Sequence, residues 1–319
     1  MPKKASFLWI TDPWETLDHA RDTTLRLAHE ALAQGHESYW CDVRSIRLEA
    51  SADGCEVRLE AAPIAPGDVT KRPFPAQVMT SKRFSSVQYR VDPPVDLAYL
   101  HPLSLLVLAG ARVVNPAVIL MTHNEKIEAG FIPGLMPETI AASQWDALSR
   151  FGKQHSKCVL KPMHEAQSKG VKLLSWTTPA EVEQSRQALS EATDSFQRPA
   201  LLQRYIAGIE QGEQRLWFLD GKLLACVRKM PLKGDFRVNI DGGSALRKTS
   251  LNPSEKKTAR KIGSFLRARK IRLAAVDLID GFVTDFNFTS PGLITMMEEV
   301  LGANLARPII RALAKPVGK

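Results

Sequence analysis

Residues 274–292, AAVDLIDGFVTDFNFTSPG, set the tightest limit on what this chain can build. They read as two short apolar strands joined by Asp280-Gly281, a dipeptide that favours a tight hairpin turn. Three oxygen-bearing side chains interrupt the strands: Asp277, Asp285 and Asn287. Asp285 and Asn287 lie two residues apart and therefore share a face. Asp277 joins that face only if the connection has an odd residue count, for instance three residues with Gly281 at a bulge. Two carboxylates and an amide on one face of an apolar hairpin suit a hard cation such as Mg²⁺. An ordinary hairpin with solvated acids is the plain alternative. Against it, Val276, Leu278, Ile279, Phe286 and Phe288 argue for burial.

Lys and Arg outnumber Asp and Glu by 43 to 34, and the net charge of +9 calls for an anionic partner or a solvated basic surface. The densest basic stretch is 247–272. Asn252-Pro253-Ser254-Glu255 starts a helix there, and Ile262, Phe265 and Leu266 form its apolar stripe. A solvated basic helix explains this stretch better than a nucleic-acid stripe, because aromatic residues for base stacking are not interleaved with the cations. No apolar run nears the ~20 residues of a membrane span. The start, MPKKASFLWI, has an apolar run too short for a signal segment. Cys41, Cys55, Cys158 and Cys226 show no CxxC spacing, as expected for reduced thiols in a cytoplasm.

The first ~120 residues alternate strand and helix. Strands are expected at 7–10, 38–43, 86–90 and 112–114, and helices at about 21–33 and 97–110; in the ambiguous region 51–80, residues 55–59 read as one strand of a small hairpin. This pattern implies α/β architecture with a largely parallel sheet and ligands at its strand carboxyl ends. The remainder reads as α+β with mostly antiparallel sheets. Strands are expected at 159–162, 171–176 and 201–205, a helix at 179–192, a hairpin over 215–228, the acidic hairpin, and a last helix at about 303–313.

Several cations stand where charge needs a reason. Lys161 sits in the apolar run 158–160, which is costly unless its ammonium meets an anion, either a nucleotide phosphate or a structural carboxylate. Lys126, in His123-Asn124-Glu125-Lys126, opens an expected helix. Arg215 opens one strand of the 215–228 hairpin, and Arg228 and Lys229 end the other. Arg237 and Asn239 lie in a Gly/Asn-containing loop, 234–243, of the kind that approaches a ligand closely. Cations projected towards an acidic, Mg²⁺-binding hairpin would form a mixed-charge cleft able to stabilise a transferring phosphoryl group.

This order resembles the ATP-grasp ligases, and among them the bacterial type of glutathione synthetase, over nearly the whole chain. Ile10-Thr11-Asp12-Pro13, Arg90 with Asp92-Pro93-Pro94-Val95-Asp96, Val114-Asn115-Pro116, Asn124-Glu125-Lys126 and Leu160-Lys161-Pro162 match its successive motifs. So do Arg237-x-Asn239 with Gly242-Gly243, and Asp277 with Asp285-x-Asn287-x-Thr289-Ser290-Pro291. The resemblance implies a pre-ATP-grasp domain, 1–122, followed by an ATP-grasp domain, 123–319, split into lobes 123–200 and 201–319. ATP would lie between the lobes on Lys126 and Lys161. Gln203, Arg204, Tyr205 and Ile206 would read the adenine edge, with Glu213 near the ribose. Asp277, Asp285 and Asn287 would hold Mg²⁺. Arg215, Arg228 or Lys229, and Asn239 would serve the acyl centre, and Asp12, Arg90, Arg237, Thr289 and Ser290 the substrate. The implied chemistry joins a carboxylate to an amine through an acyl phosphate, using an acidic peptide or amino acid as substrate. The implied protein is cytoplasmic and is a homo-oligomer in some relatives, without nucleic-acid or membrane partners.

Three departures stand out. The glycine-rich loop expected after Lys161-Pro162 is Met163-His164-Glu165-Ala166-Gln167-Ser168-Lys169-Gly170, with one late glycine. The usual metal-binding glutamate is Asp285, one methylene shorter. Arg204 replaces a smaller residue. The loop change keeps a second possibility open, a relative that binds nucleotide or peptide as a regulatory module without turnover. A basic nucleic-acid-associated protein is permitted by the charge and supported by no motif.

Overall fold

Ser6–Thr11 (SFLWIT) is buried at five consecutive positions, as a central parallel strand covered on both faces must be. The computed structural model describes residues 4–52, 54–67, 71–73, 75–163, 169–238, 240 and 242–315. Its first sheet holds β1 (Ser6–Thr11), β2 (Glu37–Asp42), β3 (Arg47–Ser51), β4 (Gly54–Pro63), β5 (Gln77–Thr80), β6 (Ser86–Tyr89) and β7 (Val113–Val114). The order is β3-β4-β2-β1-β6-β7, with β5 also paired to β4. The inner strands β2, β1, β6 and β7 are parallel, as expected. The region 51–80 departs from that pattern. Its strands return without a helical crossover, so β3, β4 and β5 add an antiparallel meander at the edge. Helices α1 (Thr23–Ala33), α2 (Leu97–Leu108) and α3 (Ala117–Thr122) belong to this part. α1 starts two residues later than expected because Asp22 caps it, accepting from the Leu25 N–H at 2.8 Å.

The second sheet, β8 (Thr139–Ala142), β9 (Lys157–Pro162), β10 (Lys172–Ser175) and β11 (Ala200–Arg204), is antiparallel in the order β10-β9-β11-β8. The sheet change thus falls after Arg204. Helices α4 (Trp145–His155) and α5 (Pro179–Ala192) pack on it. α4 had no counterpart in the sequence reading. Where a helix was expected to open at Lys126, one short 3₁₀ turn, Glu128–Phe131, is found.

The third sheet, β12 (Glu213–Leu219), β13 (Lys222–Met230), β14 (Ala245–Lys248), β15 (Leu273–Ile279) and β16 (Phe282–Asn287), is antiparallel in the order β14-β13-β12-β15-β16. The basic helix α6 (Pro253–Ala268) begins with a capping box between Asn252 and Glu255 and turns Lys256, Lys257, Arg260 and Lys261 to solvent. The expected last helix is two, α7 (Ile294–Leu301) and α8 (Ala306–Leu313), separated at Gly302 with φ +67°. Among the described residues no helix is long and apolar enough to cross a membrane.

The first and third sheets share their cores. One cluster joins Leu8, Ile10 and Tyr89 to Leu216, Phe218 and Phe286; another joins Trp9 and Leu27 to Trp217, Val227 and Ile309. The middle sheet has its own core around Leu148, Leu160, Trp176 and Leu202. Asn115 ties the two outer sheets together. Its amide donates to the Leu273 and Phe288 carbonyls at 2.8 and 2.7 Å, and its oxygen accepts from the Arg272 and Leu273 N–H groups.

Candidate active site

The acidic hairpin turns on two residues, Asp280 (φ +50°) and Gly281 (φ +80°), rather than the three suggested by parity. The odd residue is in the strand instead. Ile279 pairs with Phe282 and Leu278 with Val283, but Asp277 pairs with Asp285 and Ala275 with Asn287, leaving Thr284 as a bulge. Asp277, Asp285 and Asn287 therefore face one side. They line a cleft of about 800 Å³ together with Arg215, Lys229, Lys161 and Lys126.

Register also delivers the cations. Arg215 on β12 is the direct cross-strand neighbour of Asp277, and Lys229 on β13 pairs with Glu213. Arg215 donates to Asp277 Oδ1 at 2.8 Å and Oδ2 at 2.6 Å, and Lys229 Nζ donates to Oδ2 at 3.0 Å while also contacting Glu213. Burial alone would push the Asp277 carboxyl up. The Arg215 and Lys229 charges outweigh burial and hold it below the usual carboxylate range. Burial pushes Glu213 up despite Lys229. The choice between Arg228 and Lys229 is geometric: Lys229 faces the cleft, whereas Arg228 points away and donates to the Gln211 carbonyl at 3.1 Å.

Also lining the cleft, Lys161 Nζ donates to Gln203 Oε1 at 3.0 Å and to the Thr284 carbonyl at 2.7 Å. Burial lowers its pKa, against the pull of Asp285. Arg204, Tyr205, Ile206 and Glu213 line the same cleft. Arg204 is braced by Glu138 at 2.6 Å and lies over the Phe282 ring, 5.6 Å from its centroid.

Arg90 lines the cleft too, is 4% exposed, and donates to Thr24 Oγ1 at 3.2 Å and to the Pro291 carbonyl at 2.8 Å. Its Nη1 is buried without a partner among the described residues. Arg237, Thr289, Ser290, Arg21, Asp22 and Asp92 line the cleft as well. Burial pushes the Asp92 carboxyl up to about 6, against the hydrogen bond from Ser290. Asp12, expected to bind substrate, does not line the cleft; its Oδ2 accepts from the Asp92 N–H at 2.8 Å and so fixes the neighbouring loop. Asn239 and the loop residues 164–168 lie outside the described residues.

Glu125 belongs to the site and was passed over in the sequence. It lines the cleft, and its Oε1 accepts from the Phe288 N–H at 2.5 Å, the Thr289 N–H at 2.7 Å and the Thr289 hydroxyl at 2.9 Å. Its own carbonyl accepts from the Phe286 N–H. Burial, then repulsion from Asp285, push its carboxyl up to about 7. The signal was its place between Asn124 and Lys126, but nothing local announces partners so distant in the chain.

The donor set fits a hard divalent cation. Asp285 Oδ1 is buried and has no hydrogen-bond partner among the described residues. The Asn287 amide nitrogen donates to the Ala275 carbonyl at 3.2 Å, which leaves its oxygen as the available acceptor. Among the described residues no group of three or more His, Cys, Asp or Glu side chains could hold a metal. Two carboxylates and an amide are thus an incomplete shell, which phosphate or water oxygens would finish.

Residues 6–120 match the N-terminal domain of prokaryotic glutathione synthetase, and residues 125–302 match the ATP-grasp domain of the same family. The chain is 29% identical over 315 residues to the glutathione synthetase of Prochlorococcus marinus strain MIT 9313, covering 98% of this chain and 99% of that one. It is 30% identical to that of Rhodopseudomonas palustris, covering 93% and 94%. Its fold is similar to the crystal structure of D-cycloserine synthetase DcsG (TM-score 0.69, 15% identity, 97% and 99% covered). It is also similar to the ATP-grasp ligase PsnB complexed with minimal precursor (0.64, 14%, 97% and 98%). Matched over both domains, the chain belongs to the prokaryotic glutathione synthetase family of the ATP-grasp superfamily.

Proposed function

We propose that the protein is an ATP- and Mg²⁺-dependent ligase that joins γ-glutamylcysteine to glycine, or a closely similar acidic peptide or amino acid to an amine. One observation carries the reading: Asp277, Asp285 and Asn287 share a cleft with Arg215, Lys229 and Lys161, so cation ligands and phosphate-binding charges meet in one place. A substrate carboxylate attacks the γ-phosphorus of ATP, ADP leaves, and an amine then displaces phosphate from the acyl phosphate with loss of a proton.

Asp285 and Asn287, with Asp277, would hold Mg²⁺, which when bound neutralises phosphate charge and fixes the phosphoryl group for attack. Lys161 and Lys126 supply fixed positive charge for the polyphosphate, and Gln203, Arg204, Tyr205 and Ile206 form the wall for the base. Arg215 and Lys229 stabilise negative charge at the acyl centre. Glu125 holds Phe288 and Thr289 by three hydrogen bonds to one side-chain oxygen and Phe286 through its backbone carbonyl, and so orients the strand that bears Asp285 and Asn287. Arg90, Arg237, Thr289 and Ser290 bind the acidic substrate. We assign the pre-ATP-grasp domain to 1–122 and the ATP-grasp domain to 123–319, and place the protein in the cytoplasm.

The test is phosphate release with ATP, Mg²⁺, γ-glutamylcysteine and glycine supplied together. Release that requires all four supports the proposal. ATP binding by calorimetry without release across a panel of acids and amines replaces it with the binding-module reading.

A further inference from the structure

Both oxygens of Asp277 face cations. Oδ1 accepts from Arg215 Nε, and Oδ2 accepts from Arg215 Nη2 and Lys229 Nζ. Lys229 is 4% exposed and also contacts Glu213. These four side chains carry two positive and two negative charges, a balanced and buried set. A divalent ion arriving alone would bring two more positive charges next to two cations, and would have to displace one of them. With Asp277 held, the ion would find Asp285 and Asn287 as its other ligands in this set and would meet the Arg215 and Lys229 charges where the third ligand stands.

The two cations are not equally able to leave. Arg215 is fixed on both oxygens by its planar fork. Lys229 makes a single contact to Asp277, on a flexible stem, and has Glu213 as a second anchor. A polyphosphate entering the cleft offers that ammonium a further anionic partner.

We infer that Lys229 latches Asp277 against free divalent ions, so that the metal enters only with the nucleotide, as Lys229 turns from Asp277 to phosphate. The inference rests on the proposed role of Asp277 as a metal ligand. It assigns Lys229 a task before any chemistry, as the residue that sets the order of binding.

Mn²⁺ binding to the nucleotide-free protein, followed by electron paramagnetic resonance, tests it. Lys229→Met should bind Mn²⁺ on the order of 100-fold more tightly than wild type. Because that variant leaves buried Glu213 without its cation, Lys229→Met/Glu213→Gln serves as a second, charge-balanced variant and should do the same. Adding Asp285→Asn to either should abolish the gain. Wild-type binding as tight as that of both variants, and lost in Asp285→Asn, overturns the latch and leaves the metal site standing. Silence of both variants also overturns the latch. If, in addition, Mn²⁺ with a non-hydrolysable ATP analogue gives no protein-dependent spectrum that Asp277→Asn removes, the metal reading falls as well.

Discussion

Asp277 and Asp285 stand directly opposite each other across β15 and β16 because Thr284 is one residue too many for the ladder. Without that bulge, Asp285 and Asn287 would face away from Asp277, and the hairpin could not present three oxygens together. The Thr284 carbonyl freed from the ladder is itself used, as acceptor for Lys161.

Asp285→Asn should lower phosphate release on the order of 100-fold or more, since the ligand charge is lost at the site of developing charge. Thermal stability should hold or rise, because the variant removes a buried charge whose Oδ1 lacks a partner. A steady-state assay beside a melting curve checks both halves. A variant that melts early as well as losing activity would mark Asp285 as structural.

Arg215→Met should destabilise the fold by about 3 kcal/mol in urea unfolding, because it leaves the buried Asp277 and Glu213 carboxylates to share one cation, Lys229. Arg215→Met/Asp277→Leu should recover most of that loss, leaving the Lys229–Glu213 pair balanced. A double variant no more stable than the single one would mean that the pair is not the source of the effect.

Lys229 and Arg228 are adjacent in sequence and opposite in placement. Lys229→Met should reduce kcat on the order of 100-fold, whereas Arg228→Ala, which loses a contact to one backbone carbonyl at a half-buried position off the cleft, should stay within about twofold. Equal losses in both would contradict the assignment of Lys229 to the cleft wall.

Glu125 gives the metal-free protein a pH-dependent stability. Its folded pKa, about 7, lies above its ordinary value of 4.5, so the folded state binds the proton more tightly. The two states are equally protonated below pH 4.5, and stability declines as pH rises from there through 7, by roughly 3 kcal/mol in total. Glu125→Gln keeps an oxygen for the same three donors and should flatten this part of the stability–pH curve. A wild-type profile in urea that is level between pH 5 and 8 would rule the effect out.

The hairpins, the capped helices and the alternation of the first part were legible because each depends on residues close in sequence. Asp280-Gly281 announces its turn, Asn252 with Glu255 its helix start, and Asp22 its cap. What escaped depends on distant neighbours. The helix α4 carries Gly152 on its buried side because the Trp176 ring fills the space a Cβ would need, approaching it to 2.1 Å. Nothing near Gly152 shows this. Parity predicted an extra residue in the hairpin but not its place, since a bulge in a strand and a longer loop satisfy the same count. Asp12 and Arg228 were drawn to the site by position in a motif, and only the folded chain shows that their side chains are turned to other work. Glu125 was hidden for the converse reason: its neighbours in the chain attract attention, and its partners lie at the other end of the molecule.

The shared cores of the outer sheets, joined through Asn115, have a consequence for how this chain can be divided. A fragment beginning near residue 123 would carry β12, β15 and β16 with Leu216, Phe218 and Phe286 stripped of their cover, and it would tend to aggregate rather than fold. The middle sheet has a separate interior and meets the acid-bearing hairpin through Lys161 on the Thr284 carbonyl and Arg204 over the Phe282 ring, so an exchanged sheet would have to keep those two contacts.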